Sequence, residues 1–247
     1  MAPGNATRAT VDLVEVGRFA AMADHWWDPD GEAAPLHRLN PTRLAYIRDH
    51  CCAHFQRDPR AKRPLAGLRA LDVGCGGGLL CEPLTRLGAE VVGIDPAAVS
   101  IEVARAHAAQ SGLIIDYRTT TADELGGTGT RFDVVLSLEV IEHVPDPEHL
   151  TMACADLVAP GGALVLSTLN RNPRSFLSAI VVAEYVLGWL PRGTHRWDRF
   201  LRPSELARYV RGAGMRVRDL AGLDYAGGEW RLSTDVGVNY LAFAIKD

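Results

Sequence analysis

Residues 71–78 read Leu-Asp-Val-Gly-Cys-Gly-Gly-Gly, and the fold turns on them. Leu68 to Val73 is a short apolar run that breaks at Gly74, as a buried strand does on entering a loop. Leu79 to Leu87 then has the make-up of a helix closed by Gly88, and a strand over Glu90 to Ile94 follows. Downstream, Ala97 to Gln110 predicts a second helix, ended by Ser111-Gly112. Further strands are expected over Ile114 to Arg118, Asp133 to Leu138 and Ala163 to Thr168. A helix around Glu148 to Leu157 stops before Ala159-Pro160-Gly161-Gly162, a turn signal, and the last strands fall at Arg216 to Ala221 and Asn239 to Ile245. Strands alternating with helices in this rhythm predict an α/β fold, a mostly parallel sheet with helices on both faces. Residues 1–66 form an N-terminal helical extension and connector, 67–247 the main domain, and 171–202 an apolar insertion after strand five.

The chain has 247 residues, 47% hydrophobic and 23% charged, enough apolar material for a full-size core. This excludes a disordered tail, a collagen-like fibre and a small disulfide scaffold. The net charge of −4 argues against nucleic acid as a partner, because phosphate backbones select a basic excess. Cys51, Cys52, Cys75, Cys81 and Cys154 have no framework spacing, which points to a reduced, intracellular protein. Met1 to Thr10 lacks the apolar core of a signal peptide, so export is not expected.

A glycine-rich turn after a buried strand lets a ligand approach the backbone, and the following helix start offers N–H groups to an anionic part. A dinucleotide fingerprint would place its third glycine at Leu79, and a phosphate loop would need Gly-Lys-Ser/Thr where Leu79-Leu80 stand. What remains resembles the acid-x-Gly-x-Gly-x-Gly motif of S-adenosylmethionine-dependent methyltransferases. Asp95, ending the next strand, is placed to accept both ribose hydroxyls; as a lone residue it would read as a helix cap. A base-methylating enzyme is disfavoured, since Ser137-Leu138-Glu139 follows strand four instead of an Asp-Pro-Pro-Tyr type run.

The wider sequence resembles the UbiG family, the bifunctional O-methyltransferases of ubiquinone biosynthesis. The residues that carry the resemblance are Trp26-Trp27-Asp28, Pro35-Leu36-His37-Arg38 with Asn40-Pro41 and Arg43, and Leu71 to Gly78. Further on are Glu142-His143-Val144-Pro145-Asp146-Pro147, Ser167 to Asn172, Gly193-Thr194-His195 and Pro203-Ser204-Glu205-Leu206. The glycine loop and the Glu-His-Val-Pro-Asp-Pro run are shared widely; the Trp-Trp segment joined to the Leu-His-Arg and Asn-Arg-Asn runs is much narrower. The resemblance implies a Rossmann-like class I methyltransferase that moves a methyl group from S-adenosylmethionine to phenolic hydroxyls of polyprenylated ubiquinone precursors, at both O-methylation steps. It implies cofactor contacts at Arg43, Gly74, Asp95 and Leu138, with Asp72, Gly76 and Gly78 from the same loop. Asp123 is assigned to the adenine amino group or to capping the turn before Leu125. Arg43 reads otherwise as a surface arginine beginning a helix after Asn40-Pro41.

Methyl transfer from a sulfonium needs a reactive oxygen nucleophile, so a phenol's proton must be taken or its phenolate stabilised. Glu139, Glu142 and His143 lie just beyond strand four. His143 is the expected general base, with Glu142 beside it in the catalytic set. In the second reading Glu139, Glu142 and His143 together bind a divalent cation, magnesium or manganese, that lowers the phenol's pKa. The family's eukaryotic branch is associated with such a cation. In a third, Glu142-His143 only opens a loop and caps the helix near Pro147.

Phe176 to Leu190 is apolar nearly all round but shorter than the ~20 residues that cross a bilayer. From Arg171 to Arg202 six arginines face only Glu184 and Asp198, a local charge of +4. That composition suits an interfacial anchor on anionic lipid, or else a buried helix over the site. The expected setting is cytoplasmic, peripheral on the inner face of the membrane, beside other enzymes of ubiquinone biosynthesis. The competing functions are O-methylation of another small phenol and a non-enzymatic lipid-surface role.

Overall fold

The computed structural model describes residues 11–21, 23–31, 33–177 and 196–247. Eight strands form one sheet in the order β3-β2-β1-β4-β5-β8-β6-β7. They are β1 (Arg69–Val73), β2 (Glu90–Asp95), β3 (Asp116–Thr119), β4 (Phe132–Leu138), β5 (Val158–Leu169), β6 (Met215–Ala226), β7 (Glu229–Ser233) and β8 (Asn239–Lys246). The pairs among β1 to β5 are all parallel, while β8 runs antiparallel to both β5 and β6. The sheet is therefore mostly parallel, as the alternation predicts.

Alternation along each strand sends side chains to two cores. Val134, Leu136, Val165, Leu241 and Phe243 face one core with α2 (Ala34–His54), α3 (Cys81–Arg86) and α4 (Ala98–Gln110). Leu71, Val135, Leu164, Leu166 and Ala242 face the other, with α5 (Ala122–Gly126), α6 (Pro147–Leu157) and α8 (Pro203–Gly212). All five cysteines are buried and reduced. The N-terminal extension contains α1 (Leu13–Ala21) and α2, and a single turn α7 (Pro173–Ser175) follows β5.

The structure differs from the sequence reading in four places, each for a physical reason. β3 begins at Asp116 and not Ile114, its ladder to β2 starting with the Asp116–Val92 pair; Ile114, outside the ladder, is left 96% exposed. The Ala159–Gly162 turn is not ahead of β5 but a bulge inside it: Phe132 pairs Val158 and Val134 pairs Ala163. Helix α2 does not begin after Asn40-Pro41; it starts at Ala34 and runs through Pro41. A mid-helix proline costs about 3 kcal/mol, and burial of Leu39, Arg43, Tyr46 and Ile47 on either side holds the helix together. Finally, β6 continues to Ala226 and turns through Gly227-Gly228 into β7, a strand the sequence reading lacks. Both glycines have positive φ (63° and 89°), which a two-residue type I′ hairpin requires. Most of the Phe176 to Leu190 run, and Gly193-Thr194-His195, lie outside the described residues.

Strand order reverses between β1 and β4, so the crevice beyond their carboxyl ends is where such a sheet binds ligands. The loops after β1 and β4 flank it, and α1 and α2 close over it.

Candidate active site

One pocket of about 900 Å³ occupies that crevice. It lies near the upper end of the roughly 300–1,000 Å³ usual for small-molecule sites, room for a cofactor and a second reactant. Gly74 brings its two walls together: its φ is 75°, and a Cβ there would stand 2.5 Å from Val140 Cγ2 in the loop after β4. Gly76 also lines the pocket, and its N–H donates to Asp95 Oδ2 at 3.0 Å. Gly78 is not in the wall; its positive φ and the Tyr117 hydroxyl packed against it require glycine on fold grounds alone.

Asp72, Asp95, Arg43 and Leu138 all line the pocket. Burial pushes the Asp72 carboxyl up to about 7, against a bond from the Cys81 thiol (3.3 Å) that lowers it. Burial also raises Asp95, opposed by bonds from the Ala97 and Gly76 N–H groups. The Ala97 bond, at 2.8 Å, means that Asp95 also organises the turn into α4. Arg43 is no surface residue: it is 2% exposed, its Nη2 lies 2.6 Å from Glu139 Oε1, and its buried Nε has no hydrogen-bond partner.

Glu139 is held at a left-handed φ of 56° just beyond β4. Its Oε1 accepts from Ser167 Oγ (2.7 Å) and Asn239 Nδ2 (3.2 Å) and faces Arg43. Glu142 sits in a 3-10 turn, Ile141–His143, and points to β5: it is 2% exposed, and Thr168 Oγ1 donates to its Oε2 at 2.9 Å. Burial and the Glu139 charge raise its carboxyl well above the ordinary range. Glu142 is not in the pocket wall; the bond from Thr168 turns it toward β5. His143 is in the wall, and its Nδ1 lies 2.9 Å from Glu15 Oε2 on α1.

These three side chains do not form the expected cation site. Glu139 turns to Arg43, Glu142 to Thr168 and His143 to Glu15. Among the described residues no group of three or more His, Cys, Asp or Glu side chains could hold a metal ion. The residues do not fit a divalent cation.

Asp123 also stands apart. Its Oδ1 lies 2.9 Å from His149 Nε2, and Thr120, Thr121 and Ala122 line the pocket in its stead. Nor does it cap the turn before Leu125: Thr121 does, accepting from the Glu124 N–H while Glu124 returns the bond. The sequence reading missed Glu15, Asn239 and the wall built by Leu223, Tyr225 and Trp230 of the β6–β7 hairpin. The Gly227-Gly228 dipeptide was the available signal for the hairpin; nothing local marks Glu15.

Comparison with known proteins gives the family and the fold. Residues 42–220 match a family model described as a methyltransferase domain. A ubiquinone biosynthesis O-methyltransferase of Chelativorans sp. (strain BNC1) is 51% identical over 243 residues, 98% of this chain and 96% of that protein. Its namesake in Azorhizobium caulinodans is 53% identical, covering 94% of this chain and 92% of that one. Among solved structures, magnesium protoporphyrin IX methyltransferase from Synechocystis PCC 6803 with bound SAH shares the fold. Its TM-score is 0.64 at 19% identity, over 95% of this chain and 99% of that one. With half its residues shared along almost the whole length, the chain belongs to the ubiquinone biosynthesis O-methyltransferase family.

Proposed function

We propose that the protein, by family an S-adenosylmethionine-dependent O-methyltransferase of ubiquinone biosynthesis, methylates phenolic hydroxyls of polyprenylated precursors at both O-methylation steps, with His143 taking the phenol proton. The observation that carries this reading is the presence of His143 in the same pocket wall as Asp72, Gly74, Asp95 and Arg43.

The residues present suit the cofactor. Arg43 offers a buried, unpartnered Nε to a carboxylate. Asp72, protonated more readily than an ordinary acid, is returned to its charged form by an ammonium. Asp95 accepts from ribose hydroxyls, and Leu138 adds an apolar wall to the cofactor site. When bound, S-adenosylmethionine supplies an electrophilic methyl group whose leaving sulfur needs no acid. The protein's remaining task is the nucleophile: a phenol is mostly protonated at neutral pH, and a neutral imidazole at its oxygen removes the proton as the new bond forms. Incubating the full chain with labelled S-adenosylmethionine and short-tailed ubiquinone precursors should yield the labelled methyl ether. Absence of product from every precursor, with product from an unrelated catechol, would reassign the substrate.

Peripheral membrane contact belongs to the same reading, because a prenylated phenol dissolves in lipid. Among the described residues no helix is long and apolar enough to cross a membrane. Phe176 and Leu177, at the start of the insertion, are exposed. The flanking charge is less available than its count implies: Arg171 pairs with Glu205, Arg174 with Asp235, Arg196 with Asp198 and Arg199 with Asp12. Apolar insertion therefore outweighs electrostatics here, and lipid contact places the enzyme beside those that make and consume the substrate. The chain should co-sediment with anionic vesicles at low salt and lose only part of that binding in high salt. A chain that ignores such vesicles has no membrane contact.

A further inference from the structure

We infer that Glu15 is a positioning residue for the base: it holds the His143 imidazole with Nδ1 protonated and Nε2 carrying the lone pair, so that α1 completes the catalytic machinery. The inference rests on the reading of His143 given above. An ionised carboxylate only accepts, so the proton of the 2.9 Å Nδ1···Oε2 bond belongs to the imidazole. Glu15 is ionised at neutral pH, since the bond to His143 holds its carboxyl below the usual range against a partial cost of burial. Both side chains are largely enclosed, 12% and 15% exposed, and both line the pocket. The partners stand 128 residues apart, so no local turn brings them together.

The way α1 is held points to the same role. It has no buried residue of its own, and its Glu15 reaches across to His143. Asp12 pairs with Arg199 at 3.2 Å, and Arg199 Nη1 in turn donates to the His143 carbonyl at 3.4 Å. Phe19 sets its ring edge against the imidazole, with centroids 5.1 Å apart. Two sides of the ring are thus fixed from one helix. In the reaction the phenolic oxygen gives its proton to Nε2 and bonds to the methyl carbon. The carbon–sulfur bond breaks and its electron pair stays on sulfur. The positive charge gained by His143 then faces the Glu15 carboxylate, as in other carboxylate–imidazole pairs. Arg18, 3.4 Å from Glu15 Oε1, and Arg199 also act on the Glu15 carboxylate.

Methyl transfer by the full chain at saturating S-adenosylmethionine, with a short-tailed catechol precursor, tests this in four proteins: wild type, Glu15→Gln, His143→Ala and the double variant. Glu15→Gln should lower kcat about tenfold or more while S-adenosylhomocysteine affinity by calorimetry is unchanged. On the His143→Ala background it should cost nothing further, because residues acting as a unit are not additive. Wild-type kcat in Glu15→Gln would overturn the inference, as would equal losses on both backgrounds, the mark of a purely structural contact. An inactive His143→Ala beside an active Glu15→Gln removes this inference alone; a fully active His143→Ala removes the base and the inference together.

Discussion

His143→Ala should lower kcat by about 10²-fold or more, the usual contribution of a positioned general base, and leave S-adenosylhomocysteine affinity nearly intact. The separation follows from the layout of the pocket. His143 comes from the turn beyond β4, whereas Asp95 ends β2 and Arg43 comes from α2. Removing the imidazole leaves in place the bonds that hold Asp72 to Cys81, Asp95 to the Gly76 and Ala97 N–H groups and Arg43 to Glu139. The same experiment bears on the cation. Because Glu139, Glu142 and His143 are each turned to a different protein partner, wild-type turnover should survive EDTA. Turnover abolished by chelator and restored by magnesium would show that the three side chains regroup around a metal ion.

Asp95→Ala should weaken S-adenosylhomocysteine binding by about 10²-fold or more, each hydrogen bond to a charged acceptor being worth about 1.5–3 kcal/mol. The loss has two parts: the acceptors for the ribose, and the bonds that fix the Gly76 and Ala97 N–H groups at the pocket's edge. An unchanged Kd would end the ribose assignment, and tight NAD binding by the wild type would end the cofactor assignment. A pH dependence goes with it. With its carboxyl pushed up to about 7, Asp72 in the ligand-free protein is mostly neutral below that pH and offers no charge to an ammonium. Affinity should therefore rise with pH and level off above about 7, falling roughly tenfold per unit on the acid side. Calorimetry between pH 5 and 8 reads this directly, and a flat Kd would remove Asp72 from the cofactor site. For the ligand-free fold the raised value has a cost: stability is lost as pH rises from the ordinary carboxylate range, 3.8, through about 7.

The parallel half of the sheet was legible because its signals are local. Leu71 to Gly78 carries a strand, its end and its turn within eight residues, and Asp95 follows one strand later. Elements set by tertiary context were not. β7 reads Glu-Trp-Arg-Leu-Ser, too polar and short for a core strand, and exists because the Gly227-Gly228 turn folds it onto β6. Arg43 looked like a surface residue because the burial of α2 is decided by the sheet beneath it and not by its own sequence. For Glu139, Glu142 and His143, adjacency along the chain suggested a shared ligand. The left-handed backbone at Glu139 and the 3-10 turn after it send the three side chains apart. Glu15 was invisible for the opposite reason, its partner being far along the chain.

The backbone at Glu139 has a consequence for how freely this enzyme can be stabilised. A non-glycine residue in the left-handed region costs of order 1–3 kcal/mol, so the position looks like an easy target for relaxation by glycine. The compensation lies in the side chain: Oε1 answers Arg43, Ser167 and Asn239 at once. Glycine would ease the backbone and leave a buried guanidinium without the carboxylate it pairs with, a loss on the order of 3–5 kcal/mol. The strained residue is the cheaper of the two states. Thermostabilising substitutions chosen by backbone preference alone would therefore go wrong at this position, where local discomfort and global stability have opposite signs.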